Sequence, residues 1–128
     1  MAKLFLVDSD VIIEYLRGRE QAILYLESLE GALCVSAITV AELYCGVRDN
    51  DEEEALERFL SAFDVIPIDQ AIARLGCLCR RTYQPGYGTG LADAIVAMSA
   101  ESAGAALVTF NKRHYPMIDD LVIPYRRS

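Results

Sequence analysis

The sequence contains no apolar run long enough to cross a bilayer, which excludes a helical membrane span. Its start, MAKLFLVD, goes straight into a strand-like segment. It lacks the basic opening, apolar stretch and small-residue cleavage site of a secretory signal, so the expected location is cytoplasmic. Paired CxxC spacing is missing too. The four cysteines, Cys34, Cys45, Cys77 and Cys79, offer only Cys77-x-Cys79, a poor geometry for zinc or redox chemistry, and read as reduced packing thiols. Positive charge is in deficit, with 12 Lys and Arg against 19 Asp and Glu and a formal net charge of -7. That excludes a protein that coats nucleic acid by bulk electrostatics. It leaves room for an enzyme that gathers carboxylates around a divalent cation, because the ion then meets the phosphate. Repeats, low-complexity tracts and linkers are also absent. A length of 128 residues with 53% hydrophobic and 24% charged content suits one domain, 1–128.

What is present is an alternation of short apolar runs and helical periodicities. Leu4 to Val7 reads as a buried strand ending in acids, and Val11 to Leu16 continues at helical spacing. Gln21 to Leu29 reads as a second helix closed by Gly31, and Leu33 to Val35 as a strand feeding the helical pattern of Ile38, Ala41, Leu43, Tyr44 and Val47. The acidic stretch Asp49 to Glu54 opens a helix through Leu60, where negative charge suits the helix dipole. Asp64 to Ile68 is a brief strand. Asp69 caps a helix carrying Ile72, Leu75, Cys79 and Tyr83, and the glycine-rich segment Gln84 to Gly90 interrupts it. Leu91 to Ala103 resumes as a helix, Ala105 to Val108 is a strand, and Leu121 to Ile123 is a candidate terminal one. Nearly all-apolar strands alternating with helices imply an α/β sandwich around a central, mostly parallel sheet flanked by helices. The 51–83 region is expected to form a protruding helix pair within that domain. Ligands of such sheets sit beyond the carboxyl ends of the strands.

Three acids are placed to converge there: Asp8 after the first strand, Glu42 on the helix after the second, and Asp93 on the helix after the glycine segment. Clustered carboxylates repel unless a cation or proton intervenes, and oxygen-only donors suit magnesium or manganese better than zinc. The bland alternative is capping, since Asp8 or Asp10 could cap a helix and Thr39-x-x-Glu42 and Gly90-x-x-Asp93 resemble capping spacings. Asp93 argues best against it. It interrupts the small, apolar run Leu91-Ala92-Asp93-Ala94-Ile95-Val96-Ala97, and a buried acid needs a partner.

Four segments in order, VDSDVIIEYLRG (7–18), VSAITVAELYCGV (35–47), LADAIVAMSA (91–100) and LVTFNKRHYPMI (107–118), resemble the signature regions of PIN-domain toxins of the VapC type. The resemblance covers nearly the whole chain. It implies a PIN-like fold, an endoribonuclease activity using Mg2+ or Mn2+, and a family acid triad falling on Asp8, Glu42 and Asp93. It also implies a VapB-type antitoxin partner whose C-terminal segment lies across the toxin groove, and a homodimer. A further family acid after the last core strand has Asn111 as its nearest match here; a neutral amide adds no charge to a second metal site. Asp10 stands where the family accepts short polar residues and is expected to support or cap. Thr109, ending a strand, is placed to hydrogen-bond a carboxylate or water, and the lone His114 has no nucleophile signature beside it. Among the basic residues, Arg17 and Lys112 follow site-bearing segments and are the better candidates for RNA phosphates, ahead of Arg19, Arg80, Arg81, Arg113, Arg126 and Arg127. Two rival readings remain. One is a receiver or dehalogenase-like phosphoryl-transfer domain built on Asp8-Ser9-Asp10; the other is a PIN-fold binding module without turnover, motivated by Asn111.

Overall fold

Leu4–Val7 (β1) is apolar throughout because it lies at the centre of a sheet and is covered on both faces. A computed structural model describes residues 3–127. Its elements run β1, α1 (Ser9–Leu16), α2 (Glu20–Ser28), β2 (Ala32–Ser36), α3 (Ala37–Cys45), α4 (Asn50–Leu60), β3 (Asp64–Ile66), α5 (Gln70–Tyr87), α6 (Leu91–Ala103), β4 (Ala106–Val108), a 3₁₀ turn (Lys112–His114) and β5 (Leu121–Val122). The strand order is β3-β2-β1-β4-β5, and every pairing is parallel. The expected α/β sandwich is therefore present, with its sheet parallel throughout.

The period of two along β1 divides the core. Phe5 and Val7 join Val11 and Ile12 of α1, Leu26 of α2, Leu43 of α3 and Leu56 and Leu60 of α4 on one face. Leu6 turns to the other face, where Leu107, Cys34, Val96, Ala97, Ala100 and Tyr115 pack. Small residues on α6 permit a further close layer. A Cβ on Gly76 of α5 would meet Ile95 Cγ1 at 2.9 Å, so only glycine lets α5 lie this close to α6. The expected 51–83 helix pair does not form. Leu56 and Leu60 hold α4 against the sheet, while α5 packs on α6 instead.

A second difference concerns the glycine segment. α5 continues through Pro85 to Tyr87 and leaves only Gly88–Gly90 as connection. Proline removes one backbone bond near the helix end, a modest loss there. Tyr83 and Tyr87, one turn apart, pack ring against ring at 6.1 Å, and Gly88 closes the helix at φ 71, donating its N–H to the Gln84 carbonyl at 2.9 Å. Among the described residues the cysteines are all unpaired; Cys34 and Cys79 are buried, whereas Cys45 and Cys77 are exposed rather than packed. No described helix is long and apolar enough to cross a membrane.

Candidate acidic centre

The sheet changes direction between β1 and β4. The chain moves outward from β1 to β2 and β3, then returns to β1's other side, which makes the carboxyl ends of β1 and β4 the topological switch point where ligands of such sheets sit. Asp8 and Asp10 follow β1, and Thr109 and Phe110 follow β4. The two loops are tied together there.

Asp8 is buried and caps α1, accepting from the Ser9 N–H at 2.9 Å through Oδ1. Its Oδ2 accepts from the Thr109 hydroxyl at 2.8 Å and the Tyr115 hydroxyl at 2.9 Å. Asp10 Oδ1 accepts from the Val11 N–H at 2.8 Å, and its Oδ2 from the Phe110 N–H at 2.9 Å. Thr109 Oγ1 also lies 3.2 Å from Asp10 Oδ2, and it accepts from the Asn111 N–H at 3.1 Å. One threonine thus sits between both acids. Burial raises the Asp8 pKa, the Thr109, Tyr115 and Ser9 hydrogen bonds oppose the rise, and the charge of Asp93 adds to it. Burial, then the neighbouring Asp8 charge, pushes Asp10 up to about 6.

Asp93 stands on the first turn of α6. Its Oδ2 accepts from the Gly90 N–H at 3.0 Å and lies 3.3 Å from His114 Nδ1, while Oδ1 is 3.4 Å from the Tyr115 hydroxyl. The capping alternative is therefore realised for one oxygen, although Gly90 has no side chain to return the bond. Glu42 is exposed on α3. Partial desolvation, then the charges of Asp8 and Asp93, raises its pKa, so it shares their field. The Thr39-x-x-Glu42 capping alternative is not realised. Ser36 caps α3 instead, accepting from the Ile38 N–H at 3.3 Å, and the buried Thr39 hydroxyl has no partner among the described residues.

Two contributors are invisible to sequence reasoning. Tyr115 is 1% exposed and bridges Asp8 and Asp93 from beneath; its only signal is an aromatic residue following the basic turn. Thr89, fully buried, donates to the His114 carbonyl at 2.7 Å and fastens the α5–α6 connection to the turn that carries Tyr115. Asn111 opens that turn without a side-chain cap, and Lys112 within it is exposed. Arg17 caps the end of α1 and lines, with Glu42, a groove of about 560 Å³ between α1, α3 and α4.

The donor set can be tested for a hard cation. Among the described residues no Lys or Arg pairs with Asp8, Asp10, Glu42 or Asp93, and His114, beside Asp93, is the one basic side chain within ion-pair distance of the set. No three His, Cys, Asp or Glu side chains among the described residues are already gathered to hold an ion as they stand. The remaining lone pairs on Asp8 Oδ1, Asp93 Oδ1 and Glu42 are oxygen donors of the kind magnesium and manganese take. Charge and donor chemistry fit a divalent ion; closing the shell requires side-chain rotation.

Fold and centre together define a parallel α/β domain with an acidic crevice at the β1–β4 switch point. The chain belongs to the PIN domain family, whose model matches residues 5–118. It is similar to ribonuclease VapC10 of Mycobacterium tuberculosis, 37% identical over 125 residues that cover 95% of this chain and 93% of that protein. It is also similar to ribonuclease VapC19 of the same organism, 35% identical and covering 94% and 98% respectively. A solved toxin–antitoxin complex from Klebsiella pneumoniae contains a chain that matches with a TM-score of 0.83 and 30% identity, covering 95% of this chain and 98% of that one. Membership in this family removes the receiver and dehalogenase reading. Asp69, poorly placed after Pro67 to serve as a receiver's phosphoryl acceptor, instead caps α5 by accepting from the Ile72 N–H at 2.8 Å.

Proposed function

We propose that the chain is a Mg2+- or Mn2+-dependent endoribonuclease, acting in the cytoplasm as a single-domain toxin held in check by a VapB-type antitoxin. The observation that carries the metal-dependent part is the uncompensated acid cluster at the switch point, with Asp8 bound by Thr109 and Tyr115. Asp8, Glu42 and Asp93 would hold the ion. When bound, such an ion offsets phosphate charge and lowers the pKa of its water.

The chain's own residues prepare the rest. Thr109 and Tyr115 fix Asp8 through Oδ2 and leave lone-pair capacity on Oδ1. The Phe110 and Val11 N–H groups fix Asp10, which supports the β1–β4 junction. Glu42 is the exposed acid of the set and is free to orient a water or take its proton. Water attacks phosphorus, the ribose 3′-oxygen departs with a proton, and the products are a 5′-phosphate and a 3′-hydroxyl. Asn111 contributes a neutral amide, so one tightly held ion suffices for this scheme. Arg17 and Lys112 are exposed and near enough in sequence to the site segments to serve as RNA phosphate contacts.

The groove from Glu42 past exposed Ile13 and Leu16 suits the apolar face of an antitoxin segment, and a basic side chain on that segment would meet the acids. A homodimer is the assembly expected of the toxin. The test is Asp8→Asn in protein freed of its partner. The variant should fold, lose manganese binding in calorimetry and lose RNA cleavage; unchanged binding and cleavage would refute the assignment.

A further inference from the structure

A second polar site lies beside the acidic crevice. Glu14 of α1, Arg19 and Gln21 at the start of α2, and Tyr125 and Arg127 line a pocket of about 370 Å³. Arg19 Nε lies 3.4 Å from Glu14 Oε2, and Arg127 Nη1 lies 3.7 Å from Glu14 Oε1. One carboxylate thus faces two guanidinium groups, and the lining keeps an excess of positive charge. The Phe110 ring backs two of the lining residues, with the Arg127 guanidinium 4.2 Å from its centroid and Tyr125 packed edge-on at 5.0 Å.

Residues at this pocket carry unused donor capacity. The Tyr125 hydroxyl is screened from solvent and has no hydrogen-bond partner among the described residues, an arrangement that is costly unless an acceptor arrives. Desolvation and then Glu14 raise its pKa, so it stays protonated and able to donate. Arg19 is the N-cap of α2 yet makes no side-chain cap bond, so the first-turn N–H groups of that helix have no partner from the cap residue. Guanidinium forks, a hydroxyl and an amide suit a singly charged phosphodiester.

We propose that this pocket binds a backbone phosphate of the RNA strand whose neighbouring linkage lies at the acidic crevice; the inference rests on the ribonuclease reading above. Phe110 connects the two sites. Its ring carries Arg127 and Tyr125, and its N–H holds Asp10 Oδ2 at 2.9 Å. A chain of net charge -7 with acids at its crevice repels RNA overall, and an adjacent positive pocket gives the strand a local anchor.

The test is fluorescence anisotropy with a labelled single-stranded RNA, in EDTA so that no cleavage intervenes, across a salt series. Arg19→Gln and Arg127→Gln should each weaken binding about three- to tenfold and lower the salt slope by about 0.7, the value for one phosphate no longer neutralised on a single strand. Tyr125→Phe should weaken it about threefold. Glu14→Gln should tighten binding, because it frees both arginines; a purely structural ion-pair cluster would show no gain and a lower melting temperature. Unchanged affinity and slope in folded arginine variants overturn the proposal, and if those variants unfold, Glu14→Gln and Tyr125→Phe decide it. Loss of an acidic protein partner with RNA binding intact also overturns it. Wild-type protein that cuts the same RNA in manganese while the variants bind normally removes this site alone. Wild-type protein that binds but never cuts, with the variants weakened, removes the ribonuclease reading and leaves the phosphate site. No RNA binding by wild type removes both.

Discussion

Asp8 and Asp10 sit where β1 meets β4 and accept hydrogen bonds from Thr109, Tyr115 and the N–H groups of Ser9, Val11 and Phe110, whereas Glu42 stands exposed on α3. Asp93 is intermediate, with one oxygen tied to Gly90 and His114 and the other facing Tyr115. The inner pair, the N-cap and first turn of α1, is fixed by hydrogen bonds across the β1–β4 junction. Of the outer pair, Asp93 on α6 is held by one oxygen and Glu42 on α3 makes no side-chain hydrogen bond among the described residues. A hard-metal site benefits from both, since rigid ligands set the position and a mobile one completes the shell around ion or substrate.

That contrast can be broken by substitution, and the largest effect belongs to the fixed half. Asp8→Asn should lower RNA cleavage by about 10³-fold, equivalent to about 4 kcal/mol of barrier, as measured by single-turnover rates. Glu42→Gln should lower it by about 10²-fold with a smaller loss of manganese affinity. A metal affinity more sensitive to Glu42 than to Asp8 would reverse the assignment of fixed and mobile halves. Tyr115→Phe should weaken manganese binding about tenfold while leaving the fold intact, as expected for a group that orients a ligand. The exposed Tyr44→Phe is the control and should change neither.

A separate effect is on stability against pH. Asp8 and Asp10 both titrate higher in the folded protein, Asp10 at about 6 against an ordinary 3.8, so the folded state binds more protons between those values. Stability in EDTA is then fullest below the ordinary value and falls as pH rises through about 6, by on the order of 3 kcal/mol from Asp10. Thermal melts from pH 4 to pH 8 should show this decline, Asp10→Asn should flatten it, and manganese should raise the melting temperature most at the alkaline end. A melting temperature that climbs with pH in EDTA would contradict the account.

Much of this is legible in the sequence, for reasons specific to each residue. Asp93 stands out because it breaks a small, apolar helical run, and the strands are visible because burial on both faces removes polar alternation. Tyr115 is not legible, since its meaning depends on a hydroxyl reaching Asp8 across 107 positions. Arg19 and Arg127 look like ordinary surface charges for the same reason; only the fold places both against Glu14. The extent of α5 is hidden because Pro85 and its glycine neighbours signal a loop locally, while the paired tyrosine rings and the Gly88 closure favour helix.

Mapping the RNA ends made by partner-free protein in magnesium, in manganese and in EDTA tests the central claim most directly. Hydrolysis at the acidic centre predicts 5′-phosphate and 3′-hydroxyl ends that appear with either metal and vanish in EDTA. Cleavage that persists in EDTA, or ends bearing a 2′,3′-cyclic phosphate, would contradict it.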